Sequence, residues 1–294
     1  MDRDKIKNFL YLFGKVIGFL GLAYVIYKIT QEYTIESFFS KIKELKLVIF
    51  YSLILNLISS FIGIYGWHKI MKNYSKIDLS FITSFYYYAK TDISKYLPGN
   101  IFHLLSRQVL ASKIGISQKD MAKGALLHTI MLLVATVLSS TIFALLSSDV
   151  HSYIKYIMLL SSVLIIGIMF FIYPKFNNLL KVECNLIFLI SIAMHGVIFA
   201  LIIYYQVDNM SLSLYFKVAS IYILSWLIGF VTPGASGGLG VREAAFLAIA
   251  KFVNLNIQMD VILFSILLIR FINIIGDILV FLLTLFIKRR VKDI

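Results

Sequence analysis

Proline, cysteine and charged residues are all scarce in this sequence. Three prolines in 294 residues mean that each one is expected to mark a break in a helix. The single cysteine, Cys184, excludes an internal disulfide framework and cannot by itself form a metal site. Only 15% of the residues are charged, 60% are hydrophobic, and the mean hydropathy is +0.88. A soluble domain of this size cannot bury so much apolar surface, so the composition predicts an integral membrane protein.

Acidic residues are fewer than basic ones, which gives a net charge of +13. The Lys and Arg residues lie in short loops between apolar runs, so they predict membrane topology and not a nucleic-acid partner. The sequence contains no Walker loop, HExxH, GxSxG or clustered Cys/His ligands. It therefore predicts neither a metal nor a cofactor, and the chain is not expected to be an enzyme.

Six apolar runs are long enough to cross a hydrocarbon core, which takes about 20 helical residues. The first run is too long for a signal peptide and has no cleavage site after it, so it is expected to be a retained span. The runs are Asn8 to Ile29, Leu47 to Gly66, Ala122 to Ser147, Tyr153 to Tyr173, Leu186 to Val207 and Val261 to Ile287.

Two further apolar stretches are interrupted, and each is typical of a helix, a break and a second helix. Leu79 to Ser112 contains the break Lys95-Tyr-Leu-Pro98-Gly99-Asn100, and Leu214 to Phe252 contains Thr232-Pro233-Gly234-Ala-Ser-Gly237-Gly238-Leu-Gly240. The two Pro-Gly pairs are 135 residues apart (233 minus 98), and an arginine follows nine residues after each proline. With the shared order of span, span, broken stretch and span, this predicts two membrane repeats, 1–147 and 148–294.

Loop charges indicate how the broken stretches enter the membrane. If each is a re-entrant hairpin and both termini are cytoplasmic, most loop lysines fall inside, as the positive-inside rule requires. The loop of residues 30–46, with three lysines, is the exception. The predicted fold is therefore all-α and polytopic, with six spans and two re-entrant hairpins in an inverted repeat. Their tips should meet near the midplane, where transporters bind substrate.

The second break offers the strongest candidate site. Gly237, Gly238 and Gly240 permit a tight turn, and the helix that follows points its N–H groups at the turn, which favours an anion. Arg242 adds a bidentate fork suited to phosphate. Glu243 is expected to pair with Arg242 or else to carry a proton or act as a gate. A purely structural hinge is the alternative.

Other polar residues are expected at membrane depth. Lys95 and Asn100 flank the first break, and His103 and Arg107 share one helix face. Arg270, Asn273 and Asp277 form a polar stripe that predicts either a buried ion pair or a cavity wall. Lys90 and Asp92 are further candidates in the first stretch, and a local pair or snorkelling to the interface is the alternative for these two. Asn56, Ser59, Ser60 and Gly63 are interpreted as helix-packing residues, and His128 and His195 as core histidines.

The motifs Lys95-Tyr-Leu-Pro-Gly-Asn100 and Pro233-Gly-Ala-Ser-Gly-Gly-Leu-Gly-Val-Arg-Glu243 resemble the signatures of the lysylphosphatidylglycerol synthase transmembrane-region family, the flippase-like domain of the multiple peptide resistance factor. The resemblance spans essentially the whole chain and implies an integral inner-membrane protein that translocates, or helps to present, an anionic or modified lipid. The family's motif positions fall on Pro98, Gly99, Asn100, Arg107, Pro233, Gly234, Gly237, Gly238, Gly240, Arg242 and Glu243. Because no transferase domain follows Ile294, the chain is not expected to synthesise aminoacylated lipid.

The leading expectation is a flippase-like transporter of an anionic or lipid-linked (aminoacyl or glycosyl) phospholipid in a bacterial or archaeal cytoplasmic membrane. The expected partner is a membrane phospholipid or a polyprenyl-linked lipid, and a separate lipid-modifying enzyme is a further candidate partner. Two alternatives stay open: an intramembrane enzyme or accessory subunit of envelope glycolipid synthesis, and an ion-coupled transporter of a small anion.

Overall fold

A computed structural model describes residues 27, 34–75, 77–96, 102–112, 115–172, 178–233 and 236–291. Within these ranges the protein is all-helical. The α-helices are α1 (Ile35–Glu44), α2 (Lys46–Tyr74), α3 (Phe81–Asp92), α4 (Phe102–Ser112), α5 (Gln118–Leu146), α6 (Ser152–Ile172), α7 (Asn178–Tyr204), α8 (Leu212–Val231), α9 (Val241–Phe252) and α10 (Met259–Val291). Short 3-10 turns follow α3 at Ile93–Tyr96 and precede α9 at Ser236–Gly238.

Serine side chains fix the start of several helices. Ser80, Ser117 and Ser211 precede α3, α5 and α8, and each hydroxyl accepts a hydrogen bond from the backbone N–H three residues later. Such a cap satisfies one of the N–H groups that a helix start leaves without an intrahelical partner. The loop sequences therefore define where these helices begin.

Six of the described helices are long and apolar enough to cross a membrane, which indicates a multi-pass membrane protein. They are α2, α5, α6, α7, α8 and Met259–Ile287 of α10. Five correspond to apolar runs predicted from the sequence. The predicted run Asn8 to Ile29 lies, apart from Tyr27, outside the described residues. The sixth long helix is instead α8, the first arm of the second broken stretch, because its apolar sequence continues for 20 residues before Thr232.

Helices α2 and α7 form the centre of the molecule. The Ser59 hydroxyl donates to the Ser191 carbonyl at 2.9 Å, and the Ser191 hydroxyl donates to the Ser59 carbonyl at 3.0 Å. Gly66 allows this close approach, since a Cβ there would lie 2.8 Å from the Phe188 ring. Lys69, near the end of α2, pairs with Glu183, near the start of α7. The two helices are therefore antiparallel.

Helix contacts recur in matching pairs across the sequence. Helix α2 packs on α3, α5 and α10, and α7 packs on α8, α10 and α5. Helix α3 packs on α4 and α10, as α8 packs on α9 and α5. These contacts are preserved when α2, α3, α4 and α5 are exchanged for α7, α8, α9 and α10, whereas the contact of α4 with α5 has no counterpart of similar extent between α9 and α10.

Contacts also bring together the two ends of each broken stretch. Leu79 and Ile116, which flank the first stretch, share a buried cluster with Trp67, Met71 and Met121 at the end of α2 and the start of α5. In the second stretch, the Lys217 ammonium donates to the Val253 carbonyl at 2.9 Å, which joins the start of α8 to the end of α9. The Gln206 amide donates to Ser265 at 2.8 Å and joins the end of α7 to the start of α10. The base of the first stretch thus lies beside the end of α2, and that of the second beside the end of α7.

Candidate functional site

A cavity of about 620 Å³ lies where the two broken stretches meet α2, α5, α7 and α10. The 3-10 turn after α3 contacts the one before α9, so the two breaks are neighbours. The volume falls within the range of about 300–1,000 Å³ that is common for ligand pockets. The charged side chains on its wall are Asp92, Lys95, Arg107, Arg242, Arg270 and Asp277.

The glycines of the second break adopt backbone conformations that other residues rarely reach. Gly237, Gly238 and Gly240 have φ angles of 55°, 71° and 76°. Gly238 also leaves room for an arginine, because a Cβ there would lie 2.6 Å from the Arg242 Nε. The predicted tight turn at these glycines is therefore present, and one of them places a side chain that lines the cavity.

Arg270 of α10 holds this break in place. Its guanidinium donates to the Glu243 carboxylate at 2.5 Å and to the carbonyls of Gly237 and Gly238 at 3.3 and 3.2 Å. Glu243 is only 5% exposed. The predicted polar stripe on α10 therefore forms both a buried ion pair and part of the cavity wall. Glu243 pairs with Arg270 and not with its sequence neighbour Arg242, because adjacent helical residues point in different directions.

Arg242 is placed differently from the other cations of the cavity. It begins α9, lies over the Trp226 ring at 5.4 Å, and packs into the space left by Gly229. Its buried Nε has no hydrogen-bond partner, and no carboxylate of the described residues lies within ion-pair distance of it. The side chain thus brings a positive charge to the cavity that no described carboxylate balances directly.

The first break carries a connected set of ion pairs. Asp92, the last residue of α3, accepts from Lys95 and from Arg107, both at 2.7 Å. The Lys95 ammonium also lies 2.8 Å from Asp277 of α10, and the Tyr96 hydroxyl donates to the same carboxylate at 2.5 Å. These contacts link the first broken stretch to the last helix. Of the interpretations left open for Lys90 and Asp92, the described contacts do not include a local pair: Lys90 donates to the Tyr86 hydroxyl, and Asp92 lines the cavity.

Arg107 is more enclosed than Arg242. It is 3% exposed, and its guanidinium lies 3.7 Å from the centre of the Tyr88 ring. Its Nε donates to the Thr91 hydroxyl at 3.2 Å, in addition to the Asp92 contact. Each arginine lies nine residues after its proline and contacts an aromatic ring, Tyr88 for Arg107 and Trp226 for Arg242. Among the described residues, Arg107 has a carboxylate partner and Arg242 has none.

Polar residues interpreted from the sequence as packing groups also reach the cavity. Asn56 donates to Asn273 at 2.7 Å, and Ser59 lies 3.2 Å from the His195 Nε2 while it holds α2 against α7. His128 lines the cavity and contacts the Phe188 ring edge-on. These residues therefore have packing partners, as expected, and in addition face the cavity.

Most described members of the predicted site lie together. Lys95, Arg107, Gly237, Arg242, Arg270 and Asp277 line the cavity. Gly238 lies against Arg242, Gly240 precedes the first turn of α9, and Glu243 in that turn pairs with Arg270. Pro233 is exposed, just past the end of α8. Pro98, Gly99, Asn100, Gly234 and the His103 side chain lie outside the described part of the chain.

Tyr96, Trp226 and Tyr222 also line the cavity, and sequence reasoning missed them. The proximity of Tyr96 to Pro98 and of Trp226 to Pro233 was the available signal. No group of His, Cys, Asp and Glu side chains among the described residues is arranged to hold a metal ion. No protein-family model matches the chain, and no curated protein is significantly similar to it.

Proposed function

We propose that this protein is a flippase-like transporter that moves an anionic phospholipid, or a lipid-linked aminoacyl or glycosyl group, across a bacterial or archaeal cytoplasmic membrane. The observation that carries the proposal is Arg242, a cation without a carboxylate partner among the described residues, on a cavity built from two broken helices. Charged groups at membrane depth are costly, so such a residue is expected to have a functional partner.

An inverted repeat is part of the proposal, and the matching helix contacts support it. The extensive contact of α2 with α7 fits a pseudo-two-fold axis between these helices, since such an axis exchanges the two helices and relates each contact to its equivalent in the other half. In this arrangement the broken stretches are re-entrant hairpins that enter from opposite faces of the membrane. Their bases lie near the ends of α2 and of the antiparallel α7, which supports this.

We further propose that both termini are cytoplasmic. The lysine-rich loops after α2, before α5 and before α7 then lie on the cytoplasmic side. The Lys69–Glu183 pair supports a common side for the end of α2 and the start of α7. The resemblance to the lysylphosphatidylglycerol synthase transmembrane region supports an inner-membrane location.

The lining of the cavity is suited to an amphiphile. Charged groups gather at the breaks, whereas Leu132 and Leu133 of α5 and Val231 of α8 provide apolar wall. Val231 is 54% exposed, so the wall continues to the outer surface of the molecule there. In the proposed mechanism the headgroup phosphate binds Arg242 through its bidentate fork, while the lipid tails stay in the bilayer. Transport, not catalysis, is the proposed activity, and any lipid modification would be done by a separate enzyme.

Reconstitution tests this function against its nearest alternative. Proteoliposomes would be assayed for translocation of fluorescent phosphatidylglycerol and, in parallel, for uptake of radiolabelled phosphate and sulfate. We expect lipid translocation above that of protein-free liposomes and no uptake of the small anions. Anion uptake without lipid translocation would replace the proposal with a small-anion transporter.

A further inference from the structure

The charged side chains that the structure describes around the cavity leave a small excess of positive charge. Four cations surround it in the described residues: Lys95, Arg107, Arg242 and Arg270. Three carboxylates pair with all of these except Arg242. Asp92 pairs with Lys95 and Arg107, Asp277 pairs with Lys95, and Glu243 pairs with Arg270. The difference, four minus three, leaves one positive charge, and it lies at Arg242.

From this balance we propose that the site selects a phosphodiester headgroup with a single negative charge and binds it at Arg242. The proposal rests on the proposed lipid-binding function and narrows its substrate class. A monoanion neutralises the enclosed site without breaking any of the existing pairs. Phosphodiesters carry one negative charge at neutral pH, whereas phosphomonoesters carry about 1.5 to 2.

The two halves of the chain explain why the excess charge lies in the second. Asp92, the partner of Arg107, stands six residues before Pro98 (98 minus 92). The residue six before Pro233 (233 minus 227) is Leu227, which cannot pair with Arg242. Thr91, which accepts from Arg107, likewise corresponds to Trp226, which stacks on Arg242. The second half thus keeps the arginine and lacks the polar groups that occupy it in the first.

A more highly charged headgroup is disfavoured for a physical reason. Its second negative charge would need Lys95, Arg107 or Arg270 as a partner, and each already pairs with a carboxylate. Withdrawing Lys95 or Arg270 would leave Asp277 or Glu243 without its cation, which is strongly unfavourable. Withdrawing Arg107 would leave Asp92 with Lys95 alone, a cation that Asp277 also needs. A zwitterionic headgroup fits poorly as well, since its cation would add back the charge that its phosphate neutralises.

Lipid titrations of the detergent-purified full chain, read by native mass spectrometry, test this selection. The probes are short-chain phosphatidylglycerol, phosphatidic acid and phosphatidylcholine, with glycerol 3-phosphate and inorganic phosphate as free phosphates. We expect phosphatidylglycerol to bind most tightly and the free phosphates to compete only weakly. Arg242→Gln should weaken phosphatidylglycerol binding roughly 10- to 100-fold, as expected for loss of one charge-assisted contact. Lys251→Gln, an exposed cation at the end of the same helix, should leave binding unchanged.

A second pair of variants tests the charge balance directly. Leu227→Asp places a carboxylate at the position that corresponds to Asp92 and should remove the preference for phosphatidylglycerol over phosphatidylcholine. Leu227→Asn is its uncharged control and should keep that preference. Equal or tighter binding of phosphatidic acid by the wild-type protein, or an unchanged preference in a folded Leu227→Asp protein, would overturn the proposal. Translocation of phosphatidic acid and phosphatidylglycerol at equal rates would also overturn it while leaving the transport function in place. Selective binding of phosphatidylglycerol without translocation would overturn the transport function while leaving the headgroup selection in place.

Discussion

The ion pair between Glu243 and Arg270 should determine the stability of the second break. The carboxylate is 5% and the guanidinium 15% exposed, and Arg270 also donates to the carbonyls of Gly237 and Gly238. Arg270→Gln leaves the carboxylate buried without its cation, which we expect to cost about 3–5 kcal/mol of unfolding free energy. Glu243→Gln retains the two carbonyl contacts and should cost less, about 1.5–3 kcal/mol.

A double-mutant cycle measures the pair itself. The double variant Glu243→Gln/Arg270→Gln should be more stable than the sum of the single losses predicts, with a coupling of about 1–3 kcal/mol. The assay is reversible unfolding of purified protein in mixed micelles by a denaturing detergent. A second cycle between Glu243 and Arg242 serves as the control and should give a smaller coupling. Additive losses in the first cycle, or a larger coupling in the second, would refute the assignment of Glu243 to Arg270.

Two further predictions concern topology and the glycine turn. Single cysteines at Lys119 and Asn254, in a Cys184→Ser background, should be labelled by an impermeant thiol reagent from opposite sides of the membrane; labelling of both from one side would exclude the inverted repeat. Gly238→Ala should abolish transport, because its Cβ would displace the Arg242 guanidinium. Gly115→Ala is the control and should keep transport, because Gly115 also has a positive φ but its Cβ would meet no atom within 4 Å. Both substitutions carry a backbone strain of about 1–2 kcal/mol, so equal losses of transport would mean that strain alone is responsible.

The helices could be predicted from the sequence because length and hydropathy decide which segments can cross a membrane. The runs that became α2, α5, α6, α7 and α10 were all recognised, with ends that differ by up to about two turns. The ends were less certain because serine caps and polar extensions lengthen helices beyond their apolar part, as at Lys46–Tyr74. The bounds of α8 were also close to those predicted, since the second broken stretch was expected to begin at Leu214 and to break at Thr232. Its length and apolarity, sufficient to cross a membrane, were not recognised because the Pro-Gly break directed attention to a hairpin.

The sequence indicated many of the residues that line the cavity, but not which of them pair with one another. Gly237, Arg242, Arg270 and Asp277 were named because charges and breaks at membrane depth are rare and noticeable in a sequence. Their partners were not predictable, since the distance between Lys95 and Asp277 depends on how α10 packs against α3. Proximity in sequence suggested Glu243 as the partner of Arg242, but the packing of α10 gives it to Arg270 instead.

Phosphate binding by Arg242 during transport is tested most directly by the rate of phosphatidylglycerol translocation by Arg242→Ala protein in proteoliposomes. Arg242→Lys, which keeps the charge but loses the fork, and Lys251→Ala, on the same helix, are its controls. We predict a rate roughly 10- to 100-fold below wild type for Arg242→Ala, an intermediate rate for Arg242→Lys, and the wild-type rate for Lys251→Ala. A wild-type rate for a well-folded Arg242→Ala protein would contradict the account, since it would remove the residue on which the anionic headgroup depends.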